Sequence, residues 1–131
     1  MDVEAIDHVN LRIPTESVDD ATDFYGDRLG FDIEGLERFR DDEQSFFDVR
    51  LTPGAVVHLW PTDAFEPPSG DGFNHLALRI EADREAVVER LSTTGVDVET
   101  ELDAPLGATG RAPAVYVRDP FGYRLELKTT A

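Results

Sequence analysis

Cysteine is absent from the 131 residues. Its absence excludes a disulfide framework, a thiol nucleophile and a thiolate metal site. Lysine occurs once, as Lys128, and the other basic residues are all arginine. No apolar run approaches the roughly 18 residues that a membrane-spanning helix needs. The opening segment MDVEAIDHVNLR has neither the basic start nor the apolar stretch of a secretory signal, so a cytoplasmic protein with no membrane association is expected. There is no GxSxG, P-loop or dinucleotide-binding glycine motif, and TPG at residues 52–54 is a turn and not a phosphate loop.

Positive charge is also scarce. Twelve basic residues face 28 acidic ones, for a formal net charge of −16. Such a chain repels phosphate backbones, which argues against nucleic acid as a partner. The acids are spread through periodic segments such as ESVDDATDFYGD and IEADREAVVERL and do not form a disordered tail. An even acidic coat on a folded domain suits concentrated salt, where self-repulsion is screened, so a halophilic source is expected. Hydrophobic residues make up 40% of the chain, enough for one ordinary domain or two small modules sharing a core.

The chain repeats itself. IDHVNLRI (residues 6–13) matches FNHLALRI (residues 73–80) in order of residue type. An acidic, helix-like segment follows each, then glycine and a short strand, GFDIE in one half and GVDVE in the other. Each half closes on strand, turn and strand: FFDVRLTPGAVVHLW first, AVYVRDPFGYRLELK second. In the first half, residues 8–13 alternate as a strand. Ser17 is placed to cap a helix reaching Leu29, with Val18, Ala21, Phe24 or Tyr25, and Leu29 inward. Three strands are expected near 31–38, 45–51 and 55–60. In the second half, Asp83 caps a helix carrying Val87 and Leu91 that Gly95 stops, before strands near 96–102, 113–118 and 123–128. The expected class is α+β, with one βαβββ module over residues 1–61, a Pro/Gly-rich linker over 62–72 and a second module over 73–131. One such unit has too little sheet and helix to bury a core alone.

The three histidines, His8, His58 and His75, all fall in expected strands. His8 and His75 occupy the same place in the two repeats. His58, in VVHLW, corresponds to Glu126, in YRLELK. Glu126 is conspicuous because it stands between Leu125 and Leu127; if the leucines face a hydrophobic layer, the glutamate faces solvent or a lined cavity. The separations agree: 50 residues from His8 to His58 and 51 from His75 to Glu126. Three imidazoles and a carboxylate at repeat-related positions suit one divalent metal ion, Zn, Ni, Co, Mn or Fe(II).

IDHVNLRI, ATDFYGDRLGFDI, FNHLALRI and RDPFGYRLEL together resemble the vicinal oxygen chelate superfamily, which includes glyoxalase I, bleomycin-resistance proteins, methylmalonyl-CoA epimerase, fosfomycin-modifying enzymes and extradiol dioxygenases. The resemblance implies two βαβββ modules paired into an open, cup-shaped mixed sheet with helices outside. It implies metal ligands from the first and last strands of each module, which match His8, His58, His75 and Glu126. Glyoxalase-like members usually carry Glu or Gln where this chain has His58, so His58 is a ligand, a base or both.

Alternation puts Asn10 and Arg12 on the face of His8, Ala77 and Arg79 on that of His75, Trp60 on that of His58, and Arg124 and Lys128 on that of Glu126. Asn10, Arg12, Trp60, Arg79 and Arg124 are therefore candidate substrate contacts, although Arg12 and Arg79 also suit a rim where they pair with surface acids. The loop LGATGRAPA (106–114) reads either as a lid with Arg111 as an anion contact or as a plain connector. Three functions follow. The first is a metal-dependent lyase or isomerase of glyoxalase type, acting on a small molecule with vicinal oxygens through an enediolate-type intermediate, with Glu126 or His58 moving the proton. The second is an Fe(II) extradiol-type dioxygenase built on His8, His75 and Glu126. The third is a non-catalytic protein that sequesters an antibiotic or metabolite, although such members generally lack the ligand set. A homodimer is expected from the open sheet edges.

Overall fold

The computed structural model describes residues 1–69 and 72–131. The chain divides into two compact units, Met1–Glu66 and Pro67–Ala131.

The first unit opens with β1 (His8–Pro14). A tight helical turn at Thr15–Ser17 leads into α1 (Val18–Thr22), which continues as a wider helical stretch over Asp23–Arg28. Then come β2 (Asp32–Glu34), α2 (Leu36–Arg40), β3 (Phe47–Thr52) and β4 (Ala55–Thr62). The second unit runs β5 (Leu76–Arg79), α3 (Arg84–Thr93), β6 (Thr100–Leu102), the two-residue strands β7 (Leu106–Gly107) and β8 (Gly110–Arg111), β9 (Ala114–Arg118) and β10 (Arg124–Lys128). The class is α+β. Each unit carries a four-stranded mixed sheet in the same order, β1-β4-β3-β2 and β5-β10-β9-β6. In each, the first strand pairs parallel with the last, and the other pairings are antiparallel. Among the described residues, no helix is long and apolar enough to cross a membrane.

Alternation explains what each sheet buries. On β1, Leu11 and Ile13 are buried while His8, Asn10 and Arg12 are exposed. They pack with Phe47, Val49, Val57 and Leu59 of the neighbouring strands and with Ala21, Phe24 and Tyr25 of the helix, all buried. In the second unit Val87 and Leu91 of α3 and Val115, Val117, Leu125 and Leu127 of the sheet form the counterpart. Each such side chain contributes about 1.5–3 kcal/mol of burial.

Several expected elements differ. Ser17 precedes α1 but makes no capping side-chain hydrogen bond, because helical turns already begin at Thr15, whose hydroxyl donates to Asp63 at 2.7 Å. The helix loosens after Thr22: the Leu29 amide donates five residues back, to the Phe24 carbonyl, at 2.9 Å. The wider turn lets the adjacent Phe24 and Tyr25 both turn inward, edge to face at 5.0 Å, where ordinary helical spacing admits one of them. The strand expected over 31–38 is cut to three residues. Gly35 adopts φ +75, and the chain turns into α2 instead of continuing extended. Gln44 fills the space over Gly35, donating to the Gly35 and Phe46 carbonyls at 3.3 and 2.6 Å. The strand expected over 96–102 is confined to β6, since Val96 folds back and donates to Leu91 at 2.8 Å. Asp83 caps α3 as expected, accepting from the Ala86 amide at 2.9 Å. The loop over 106–114 contains the β7–β8 hairpin. In the segment 62–72, Thr62 belongs to β4, and residues 70 and 71 lie outside the described residues.

Candidate functional site

In the first unit, β1 and β4 lie parallel with Asn10 beside His58, which sets His58 one step along from His8 on the same face. The two imidazoles approach to 4.3 Å between ring centres. Each ring is held by its Nδ1: that of His8 lies 2.7 Å from Asp7 Oδ2, and that of His58 lies 2.5 Å from Asp48 Oδ1. Asp48 is the direct antiparallel neighbour of His58, on β3. Both are mostly covered, with side chains 17% and 19% exposed, whereas Asp7 is open to solvent. The Asp7 carboxyl is held below the ordinary carboxylate range, first by its hydrogen bond to His8 and then by the charge of that ring, with a smaller contribution from His58. The Phe46 ring lies 4.3 Å from His58 and stacks on Trp60 at 5.2 Å, and the Arg12 guanidinium lies 4.8 Å over Trp60. Trp60 and Arg12 thus form an aromatic and cationic wall beside the histidine pair.

In the second unit, His75 sits immediately before β5, and Glu126 is central in β10. His75 Nε2 lies 3.1 Å from Glu126 Oε2. His75 Nδ1 lies 2.6 Å from the side-chain oxygen of Asn74. Glu126 is 6% exposed, so it does not face bulk water although Leu125 and Leu127 occupy the opposite face of the strand. A buried carboxylate needs a compensating partner, and His75 supplies one. Tyr116 is the direct cross-strand neighbour of Glu126; its ring lies 5.4 Å from His75, and the Arg124 guanidinium lies 5.0 Å over it.

The donor chemistry fits a divalent cation. An amide oxygen only accepts, so Asn74 keeps the proton of His75 on Nδ1 and leaves the Nε2 lone pair toward Glu126. His75 Nε2 and the Glu126 carboxylate then face each other at 3.1 Å, an arrangement suited to a shared cation or proton. In the same way Asp7 and Asp48 bind Nδ1 of His8 and His58 and leave Nε2 free, as outer carboxylates do for metal-bound histidines. Among the described residues, no three His, Asp or Glu side chains gather as a metal cage; His8 and His58 form one pair and His75 and Glu126 another, each within its own unit.

Two other expected substrate contacts, Arg79 and Arg111, have structural partners, as does Lys128. Arg79 donates to the Thr109 hydroxyl at 2.5 Å, Arg111 to the Ala104 carbonyl at 2.9 Å, and Lys128 to the Pro105 carbonyl at 2.8 Å. Together they fasten the β7–β8 hairpin. Asn10 is exposed beside His58. Sequence reasoning missed Asp48 and Asn74. Asp48 carries the same signal as Glu126, an acid between apolar neighbours in a strand, and Asn74 stands before His75 as Asp7 stands before His8.

No curated protein sequence matches the chain at a significant level. Solved structures of similar fold include a glyoxalase family protein from Bacillus anthracis, at TM-score 0.76 and 21% identity, covering 100% of this chain and 98% of that one. A virulence protein from Salmonella typhimurium matches at TM-score 0.73 and 21% identity, over 100% of both chains. A glyoxalase/dioxygenase from Nostoc punctiforme matches at TM-score 0.67 and 19% identity, over 96% of this chain and 90% of that one. At these identities the likeness establishes the fold. The family profile itself matches residues 5–127, nearly the whole chain, and the protein therefore belongs to the Glyoxalase/Bleomycin resistance protein/Dioxygenase superfamily.

Proposed function

We propose that the protein is a metal-dependent lyase or isomerase of glyoxalase type, with His8, His58, His75 and Glu126 as ligands of one divalent ion. The observation that carries this reading is the orientation of the imidazoles: all three have Nδ1 engaged by an oxygen, from Asp7, Asp48 and Asn74, which frees Nε2 for coordination. When bound, the ion polarises two adjacent substrate oxygens and offsets the negative charge that develops as a neighbouring C–H loses its proton. Glu126 carries that proton, or His58 does at a stage when its Nε2 is not bound to the ion. Glu126 is buried against His75, and His58 is oriented by Asp48 so that a nitrogen lone pair is presented. Trp60, Phe46 and Arg12 stand beside His58, and Arg124 over Tyr116 flanks Glu126. The protein acts on small molecules, as a cytoplasmic homodimer; light scattering tests the dimer.

A second reading has one observation in its favour. The 2.5 Å contact between His58 and Asp48 suits an acid–base dyad, which leaves His8, His75 and Glu126 as the two-histidine, one-carboxylate set of an Fe(II) dioxygenase. Elemental analysis of protein purified without chelator separates the readings. One equivalent of Zn, Ni, Co or Mn per chain supports proton transfer, one of iron supports oxygenation, and no metal together with tight ligand binding overturns both in favour of sequestration.

A further inference from the structure

Arg118 on β9 and Arg124 on β10 are direct cross-strand neighbours. Two like charges so placed repel. A single carboxylate holds them: Glu99 accepts from Arg118 Nε at 2.5 Å and from Arg124 Nε at 2.8 Å, and its Oε1 lies 2.6 Å from Arg124 Nη2. Arg118 further donates from Nη1 to the Gly122 carbonyl at 2.9 Å. These contacts engage two nitrogens of each guanidinium, and the planar fork has five N–H groups, so donors remain on both. Two guanidiniums to one carboxylate also leave a unit of positive charge here, on a chain whose net charge is −16. The nearby Asp119 is 5% exposed, and its Oδ1 accepts from the Phe121 and Tyr123 amides at 2.9 and 2.8 Å.

The excess charge borders a cavity. Arg118 and Arg124 line a concavity of about 280 Å³ together with Ser69, Phe73, Asn74 and Gly122. Two contacts fix its lining: Phe73 meets Tyr123 edge to face at 5.5 Å, and Pro68 lies against Gly122, which adopts φ +97. The volume is at the small end for a ligand pocket, sized for one functional group and not for a whole cofactor. Asn74, whose oxygen orients His75, lines the same cavity, and Arg124 shares a strand face with Glu126 two residues on. The cavity therefore lies beside the His75–Glu126 pair, within one unit.

We propose that this cavity is an oxyanion subsite, in which the Arg118 and Arg124 guanidiniums, helped by Ser69 and Asn74, bind a carboxylate or phosphate group. The reacting part of the same molecule lies toward His75 and Glu126, so the substrate is an anion. That last step rests on the metal-dependent reading above; anion binding at the cavity does not.

The test uses chelator-treated, metal-free protein, so that its failure and the failure of the metal reading are distinguishable. Inorganic phosphate and succinate are titrated separately while backbone amide and arginine Nε resonances are followed. The expected result is saturable shifts centred on Arg118, Arg124 and Asn74, and the tighter of the two probes identifies the group. Arg118→Gln weakens binding by about tenfold. Glu99→Gln, which removes the competing carboxylate, tightens it by about fivefold, an effect that mere loss of structure would not give. Shifts that fail to saturate, that spread evenly over the surface arginines, or that weaken in Glu99→Gln would overturn the proposal.

Discussion

The two units share strand order, the position of the first histidine and the pairing of first strand with last, yet they dress the same frame differently. In the first, two imidazoles meet, and the cross-strand neighbour of the second is a carboxylate, Asp48. In the second, an imidazole meets a buried carboxylate, and the corresponding neighbour is a phenol, Tyr116. The acidic group has changed places: it stands behind the ligand position in one unit and at it in the other. A carboxylate directly beside an imidazole neutralises and accepts protons, whereas a carboxylate behind one fixes which nitrogen is free. On the proposed metal-dependent function, the first unit holds a donor still and the second passes a proton.

The largest effect that would break this contrast is on turnover. Glu126→Gln keeps shape and hydrogen bonding but removes the proton acceptor, and turnover should fall about a hundredfold or more with unchanged circular dichroism. Similar activity in that variant would take Glu126 out of the chemistry. Next comes metal affinity. Asp48→Ala frees the His58 ring, and affinity should weaken by about 10–100-fold by calorimetry, while Tyr116→Phe should change it little. Equal losses in the two variants would erase the distinction between the units.

A third difference lies outside the ligands and bears on what the sequence disclosed. The frame was legible because burial imposes periodicity: Leu11 and Ile13 alternate with His8, Asn10 and Arg12, and Leu125 and Leu127 flank Glu126. The repeat then paired the histidines and the glutamate. What stayed hidden depends on contacts distant in sequence or on backbone angles. Asp48 acquires its role only when β3 lies against β4. Phe24 and Tyr25 both enter the core only because the helix widens. The α2 insertion, which the second unit lacks, hangs on Gly35, and nothing in GFDIEGLERF announces a left-handed residue instead of a continuing strand. Gly35→Ala tests it: a Cβ there meets Gln44 Nε2 at 2.6 Å and occupies φ +75. The cost should be about 1–3 kcal/mol in urea unfolding. No change would mean that α2 is not held by this glycine.

The smallest predicted effect, on acid stability, belongs to the second unit. Arg118, through its hydrogen bond, and then Arg124 hold the Glu99 carboxyl below its ordinary value of 4.5, against the opposing effect of burial. A carboxylate whose folded value lies below its unfolded one contributes stability that is fully present above the unfolded value and is lost as pH falls through the folded one. The wild type should therefore lose this contribution from about pH 4.5 downward, and Glu99→Gln, which has nothing to protonate, should show a shallower acid limb in melting temperature against pH. The first unit offers no match: its depressed carboxyl, Asp7, is solvent-exposed beside His8, where water and salt screen the interaction. Asp7→Asn should leave the acid limb in place, and parallel limbs for wild type and Glu99→Gln would show that the arginine pair does not draw on Glu99 for its stability.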